Sequence, residues 1–125
     1  MLGYLLVFIG GSLGAGLRFL ISHKANKHFG ITYWSTFIIN VTGSLFLGLI
    51  ATLAANKTGF VSSNLKLFLC TGIAGGFTTF STFGYENLVL LKEGQVLKSI
   101  VYVFSSLIAG LLGILCGYYL ACLIN

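Results

Sequence analysis

This chain has no proline and very little charge. Only 7% of its 125 residues are Asp, Glu, Lys or Arg, against about 25% in an ordinary soluble domain. A soluble fold would have almost nothing with which to cover its surface. The acidic residues are Glu86 and Glu93 alone. Without proline, the apolar stretches are free to run as helices. Strand-type alternation is absent too, which argues against a β-barrel. Cys70, Cys116 and Cys122 are odd in number and lack CxxC spacing, so they imply neither a disulfide nor a metal framework and are expected to pack as small apolar residues. No nucleophile–base pair, metal cluster or nucleotide-binding loop is present, and no enzymatic activity is expected.

What remains is hydrophobic: 57% of residues, with a mean hydropathy of +1.00. Four apolar spans are predicted, at about 2–21, 33–55, 67–91 and 99–124. Each holds roughly 20 or more residues, enough at ~1.5 Å per residue to cross a ~30 Å hydrocarbon core. The connectors at 22–32, 56–66 and 92–98 leave no room for a soluble domain. A single four-helix transmembrane domain over residues 1–125 is therefore expected, embedded in a lipid bilayer. The first span makes a poor signal peptide, because Arg18 follows its apolar part and no basic residue precedes it.

The net charge of +5 comes from residues placed mainly in connectors, where lipid headgroups explain it better than nucleic acid. Lys24, Lys27, Lys92 and Lys98 fall on one side of the predicted bundle, Lys57 and Lys66 on the other. Four against two is a weak bias towards both termini outside, and it leaves orientation open. His23 and His28 share a connector without a carboxylate or thiol partner and are not expected to bind metal.

Glycine, at 17 residues, falls on helical stripes. Gly10 and Gly14, Gly72 and Gly76, and Gly113 and Gly117 are each four apart, and Arg18 continues the first stripe. Small-xxx-small spacing lets helices approach closely in lipid, within the bundle or against a second copy. Polar residues inside the spans also form stripes. Thr36, Asn40 and Ser44 recur at i, i+4, i+8, and Tyr102 and Ser106 lead into the glycines of the fourth span. Ser44, Thr42 and Ser105 are expected to make interhelical hydrogen bonds. Asn40 carries a larger amide with two N–H groups to offer an anion, so function and packing stand level there. Arg18 can snorkel from the end of its helix.

The centre of the third span, residues 72–83, reads Gly-Ile-Ala-Gly-Gly-Phe-Thr-Thr-Phe-Ser-Thr-Phe. Small and hydroxylated residues at membrane mid-depth predict a broken helix, whose unpaired backbone must be buried in protein or line an ion site. Carbonyls of Gly75, Gly76, Thr78 and Thr79 are hard ligands suited to an alkali cation. Phe80 and Phe83, three apart, would present positive ring edges, unless they serve only as packing. Ser81 and Thr82 add hydroxyl donors, and Glu86 follows towards one mouth.

The string GGFTTFSTF at 75–83 resembles the signature of the small fluoride channels, the CrcB or Fluc family. GGSLGAGLRF at 10–19 and STFIINVTGSLFLG at 35–48 agree with it. With Glu86 and the Tyr102/Ser106 stripe, the likeness spans essentially the whole chain. Ser35 departs from it, standing where the family commonly has glycine. The resemblance implies a dual-topology antiparallel homodimer in the cell membrane, with two fluoride pathways along the subunit interface. It further implies a structural, non-transported sodium ion (Na+) held by the carbonyls of Gly75 and Thr78. Asn40, Phe80 and Phe83 would contact fluoride, Ser81, Thr82, Tyr102 and Ser106 would line its path, and Glu86 would sit near a vestibule. The implied activity is passive export of fluoride that enters as HF and dissociates in the cytoplasm.

Two other readings stay open on sequence alone. A small proton-coupled multidrug exporter would want a carboxylate in the first span, where the only charge is Arg18. A helper subunit packing on a larger complex would account for the glycine stripes, but not for Asn40 beside a polar third span.

Overall fold

A computed structural model describes residues 1–29, 32–55 and 61–124; Lys57 lies outside them. Among the described residues all regular secondary structure is helical. Helix α1 (Leu2–Phe29) and α2 (Thr32–Ala55) are continuous. The third span is assembled from joined pieces: α3 (Ser63–Lys66), a π-helical stretch (Leu67–Ala74), α4 (Gly75–Phe77) and α5 (Phe80–Lys92). Helix α6 (Val96–Ile124) closes the chain. Four segments are long and apolar enough to cross a membrane: Leu2–His28, Tyr33–Ala55, Ser63–Lys92 and Val96–Ile124.

Helix α1 runs further than the apolar pattern, through residues 22–29 that were expected to form a connector. Nothing in Ser-His-Lys-Ala-Asn-Lys-His-Phe breaks a helix, and lysines and a histidine near its end suit the negative pole there. The Ser35 hydroxyl donates to Asn26 Oδ1 at 3.3 Å, tying that extension to the start of α2. At the other end of the bundle, Ser62 caps α3 by accepting from the Leu65 N–H. Between α5 and α6 the chain reverses in a tight turn through Gly94, whose φ of +72° suits a residue without Cβ.

Each glycine stripe finds its partner inside the chain. Gly10 and Gly14 of α1 face Gly72 and Gly76 of the third span. A Cβ built on Gly10 would lie 2.6 Å from the Phe68 carbonyl and 2.9 Å from Gly72 Cα. One on Gly14 would collide with the Ile73 carbonyl. On the far side, Gly113 and Gly117 of α6 lie against Val41, Leu45 and Gly48 of α2. Two seams of backbone on backbone thus hold the bundle, where lipid gives helices no hydrophobic reason to associate.

Thr42 and Ser105 correct one expectation. Neither bonds across helices: Thr42 donates to Ile38 O at 2.7 Å, and Ser105 to Tyr102 O at 3.2 Å. A short hydroxyl reaches its own preceding turn more easily than a neighbouring helix.

The seams differ in tolerance from glycines that face open space, such as Gly16. Gly14→Ala is expected to cost about 1–3 kcal/mol through overpacking, and Gly16→Ala nothing measurable. Thermal unfolding of the two variants in detergent checks the difference.

Candidate functional site

The third span changes direction at two residues. Thr78 (φ −74°, ψ 157°) and Thr79 (φ −149°, ψ 115°) are extended, between the end of α4 and the start of α5. Upstream, the π-helical stretch bonds Gly75 N–H back to Cys70 O, one residue further than an α-helix reaches. Extended backbone within a membrane span has no helical ladder to satisfy it, so each polar group must be paired or line a cavity.

Asn40 of α2 supplies two of these partners. Its Oδ1 accepts from Thr79 N–H at 2.8 Å, and its Nδ2 donates to Thr79 O at 3.1 Å. The side-chain amide thus pairs with the polar groups of one residue as a neighbouring strand would. One of its two amide hydrogens is used here, leaving the second for another acceptor. Thr79 then caps α5: its hydroxyl accepts from Thr82 N–H at 3.2 Å and donates to Thr82 Oγ1 at 2.9 Å. It also stands 3.4 Å from Ser81 Oγ.

The carbonyls upstream fare differently. Ala74 O takes both the amide and the hydroxyl of Thr78, each at 3.0 Å. Among the described residues nothing donates to the carbonyls of Gly75 or Thr78. The helix ends before its next turn could reach Gly75. Gly75 and Thr78 both line an open cavity of about 310 Å³, together with Asn40, Ser44, Thr79 and Phe80 among others. Two unpaired neutral oxygens suit a hard, weakly polarising cation, so the residues present fit sodium.

Downstream, α5 carries the aromatic and acidic residues. Phe80 is 81% exposed and Phe83 half-buried, their ring centroids 5.8 Å apart. Phe83 meets Tyr102 of α6 edge-on at 5.0 Å. Tyr102 is buried, and its hydroxyl donates to Glu86 Oε2 at 2.7 Å. Thr36 donates to Glu86 Oε1, also at 2.7 Å. Glu86, only 8% exposed, is held between helices by two neutral hydroxyls. Ser106 lies a turn beyond Tyr102, and its buried Oγ has no hydrogen-bond partner among the described residues. Arg18 stands half-buried on α1, one turn past Gly14.

The polar stripe of α2 therefore has divided duties. Thr36 holds Glu86, Asn40 holds Thr79, and Ser44 lines the cavity. Towards the start of α2, an apolar pocket of about 460 Å³ opens among Tyr33, Phe37, Leu90, Val101 and Tyr102.

Sequence reasoning missed two residues of this neighbourhood. Asn87 and Ser99 are both buried, and the Ser99 hydroxyl donates to Asn87 Oδ1 at 2.9 Å. The signal was available: Ser99 precedes Tyr102 by three residues and Ser106 by seven, on one helical stripe.

Fold and site define a class: a multi-pass helical membrane protein whose third span turns polar at its centre. Residues 5–118 match the family described as CrcB-like protein, Camphor Resistance (CrcB). A protein of Thermus thermophilus named Fluoride-specific ion channel FluC is 44% identical over 118 residues, covering 94% of this chain and 91% of that one. One of the same name from Hyphomonas neptunium is 39% identical over 122 residues, covering 97% and 96%. Another, from Clostridium perfringens, is 44% identical over 118 residues, covering 94% and 91%. The chain belongs to the CrcB-like family.

Asn40→Ala would leave the buried N–H of Thr79 without its acceptor, a loss of about 1–3 kcal/mol. The Thr79 amide is expected to exchange at least about fivefold faster in the variant. Hydrogen–deuterium exchange of the reconstituted protein, followed at that peptide, is the check.

Proposed function

We propose that this protein is a fluoride-selective, passive ion channel that lets cytoplasmic fluoride leave the cell and so limits its toxicity. The observation that carries the reading is the pairing of Asn40 with Thr79, which leaves the carbonyls of Gly75 and Thr78 unpaired beside the exposed ring of Phe80. The ion-channel names of the relatives favour it over the drug-exporter and helper readings.

The working unit is an antiparallel homodimer in the plasma membrane, two copies inserted in opposite directions. Its interface is the face bearing Phe37, Asn40, Ser44 and Leu47 of α2, along which both cavities open. The interruption of the third span is its functional centre. Carbonyls of Gly75 and Thr78 from both copies would hold a sodium ion that is not transported, supplying fixed positive potential without a ligand that traps the anion.

Fluoride is small and strongly hydrated, so its path must replace water with N–H, O–H and polarised C–H donors, and still release the ion. Asn40 offers the amide hydrogen that Thr79 leaves free. Phe80 and Phe83 offer ring edges, whose hydrogens carry partial positive charge. Ser81, Thr82 and the unpartnered hydroxyl of Ser106 continue the lining, with Tyr102 beside them. Glu86, towards the vestibule, fixes the Tyr102 and Thr36 hydroxyls in one orientation. Arg18, which continues the Gly10 and Gly14 stripe on α1, is read as structural, with no role in the path. No titratable base is placed to bind fluoride tightly, as suits rapid passage.

The test is efflux from liposomes loaded with potassium fluoride or potassium chloride, read by ion electrodes after valinomycin. Fluoride is expected to leave quickly and chloride to stay. Phe80→Ile is expected to slow fluoride efflux at least about tenfold while the dimer survives. No fluoride efflux from the folded wild-type dimer would overturn the reading.

A further inference from the structure

Asn87 and Ser99 take no part in the pathway above, yet both are buried and polar in a membrane-spanning bundle. Asn87 is 8% exposed and Ser99 5%. Their bond runs in one direction: Ser99 Oγ donates to Asn87 Oδ1 at 2.9 Å, and Asn87 Nδ2 donates to Phe83 O at 2.8 Å. A three-membered chain of donors and acceptors thus starts on α6 and ends at the backbone carbonyl of Phe83. Such chains polarise one another in a low-dielectric interior. A peptide carbonyl has two lone pairs, so the helix's own hydrogen bond and the Asn87 amide can share it.

Phe83 is gripped a second time through its ring, which meets Tyr102 edge-on at 5.0 Å. Tyr102 is itself fixed by Glu86, the residue next to Asn87. Glu86 and Asn87 therefore tie α5 to α6 at Tyr102 and Ser99, three residues apart on one face of α6. One tie sets the surroundings of the Phe83 ring, and the other holds its backbone. Plain interhelical packing would need neither a directed amide nor a second polar pair beside the first.

We propose that Asn87, oriented by Ser99, is a positioning residue for the fluoride pathway, holding the Phe83 backbone at the height and rotation where the ring edge meets the ion. The inference rests on the fluoride-channel reading and adds to it a pair of residues outside the path.

Three forms test it: wild type, Asn87→Leu, which keeps the side chain's shape, and the milder Ser99→Ala. Each is reconstituted as the full-length protein. Fluoride efflux is measured on the unlabelled forms, and the ¹⁹F spectrum of residue 83 on matching forms that carry 4-fluorophenylalanine there. Both substitutions are expected to slow efflux about fivefold, the scale of one lost hydrogen bond, and to shift or split the ¹⁹F line. The Asn87→Leu, Ser99→Ala double variant should be no slower than Asn87→Leu alone, since both act on one chain of hydrogen bonds. A shifted line with wild-type efflux, or slowed efflux with an unmoved line, overturns the positioning role. So does a double variant whose effects simply multiply. Should Asn87→Leu fail to fold, Ser99→Ala decides by the same pair of readouts. Wild-type protein with no fluoride efflux overturns the channel reading itself, and the positioning role with it.

Discussion

Extended backbone inside a membrane-spanning segment must be paired or line a cavity, and in this chain one side chain does the pairing for Thr79. The amide of Asn40 pairs with both polar groups of Thr79. That lets two extended residues exist between α4 and α5. From it follow the cap that Thr79 places on α5 and the loss of donors for Gly75 and Thr78. The exposed Phe80 then begins the next helix. Had α4 run straight into α5 without the extended Thr78 and Thr79, each of these groups would have been consumed by the ladder of its own backbone.

The second polar centre meets the same demand by other means. Glu86 is surrounded by hydroxyls where a lysine or arginine would have made an ion pair. Each of its two oxygens accepts one hydrogen bond, both at 2.7 Å. Neutral donors satisfy the carboxyl without adding a fixed cation to the centre of the molecule. Tyr102 belongs to this arrangement and also meets Phe83, so one residue joins the acidic and aromatic parts of the site.

Composition and spacing are enough to reveal the four spans, their helical character and the special nature of residues 72–83, because lipid leaves a chain few alternatives. The polar stripe of α2 is visible in the sequence too, but its division of labour is not. Spacing shows that Thr36, Asn40 and Ser44 share a face, while their partners, Glu86 and Thr79, are set by how the third span bends. Asn40 is legible as an amide able to serve an anion, and its bond to the backbone is not. Thr42 and Ser105 mislead for a related reason: a hydroxyl's choice between its own helix and the next depends on small local differences in distance. Helix α1 outruns its apolar pattern because hydropathy marks where lipid ends, whereas a helix stops only at a residue that breaks it.

The two glycine seams have a bearing on how the molecule is built in time. Gly10, Gly14, Gly72 and Gly76 are satisfied within one chain, as are Gly113 and Gly117 against α2. No small-residue groove of these stripes is left over for joining to another copy. Each chain can therefore complete its bundle as soon as its last helix is inserted, before it meets anything else. Any later association is an encounter between finished bodies diffusing in two dimensions. Its extent is then set by how many copies share a given area of membrane.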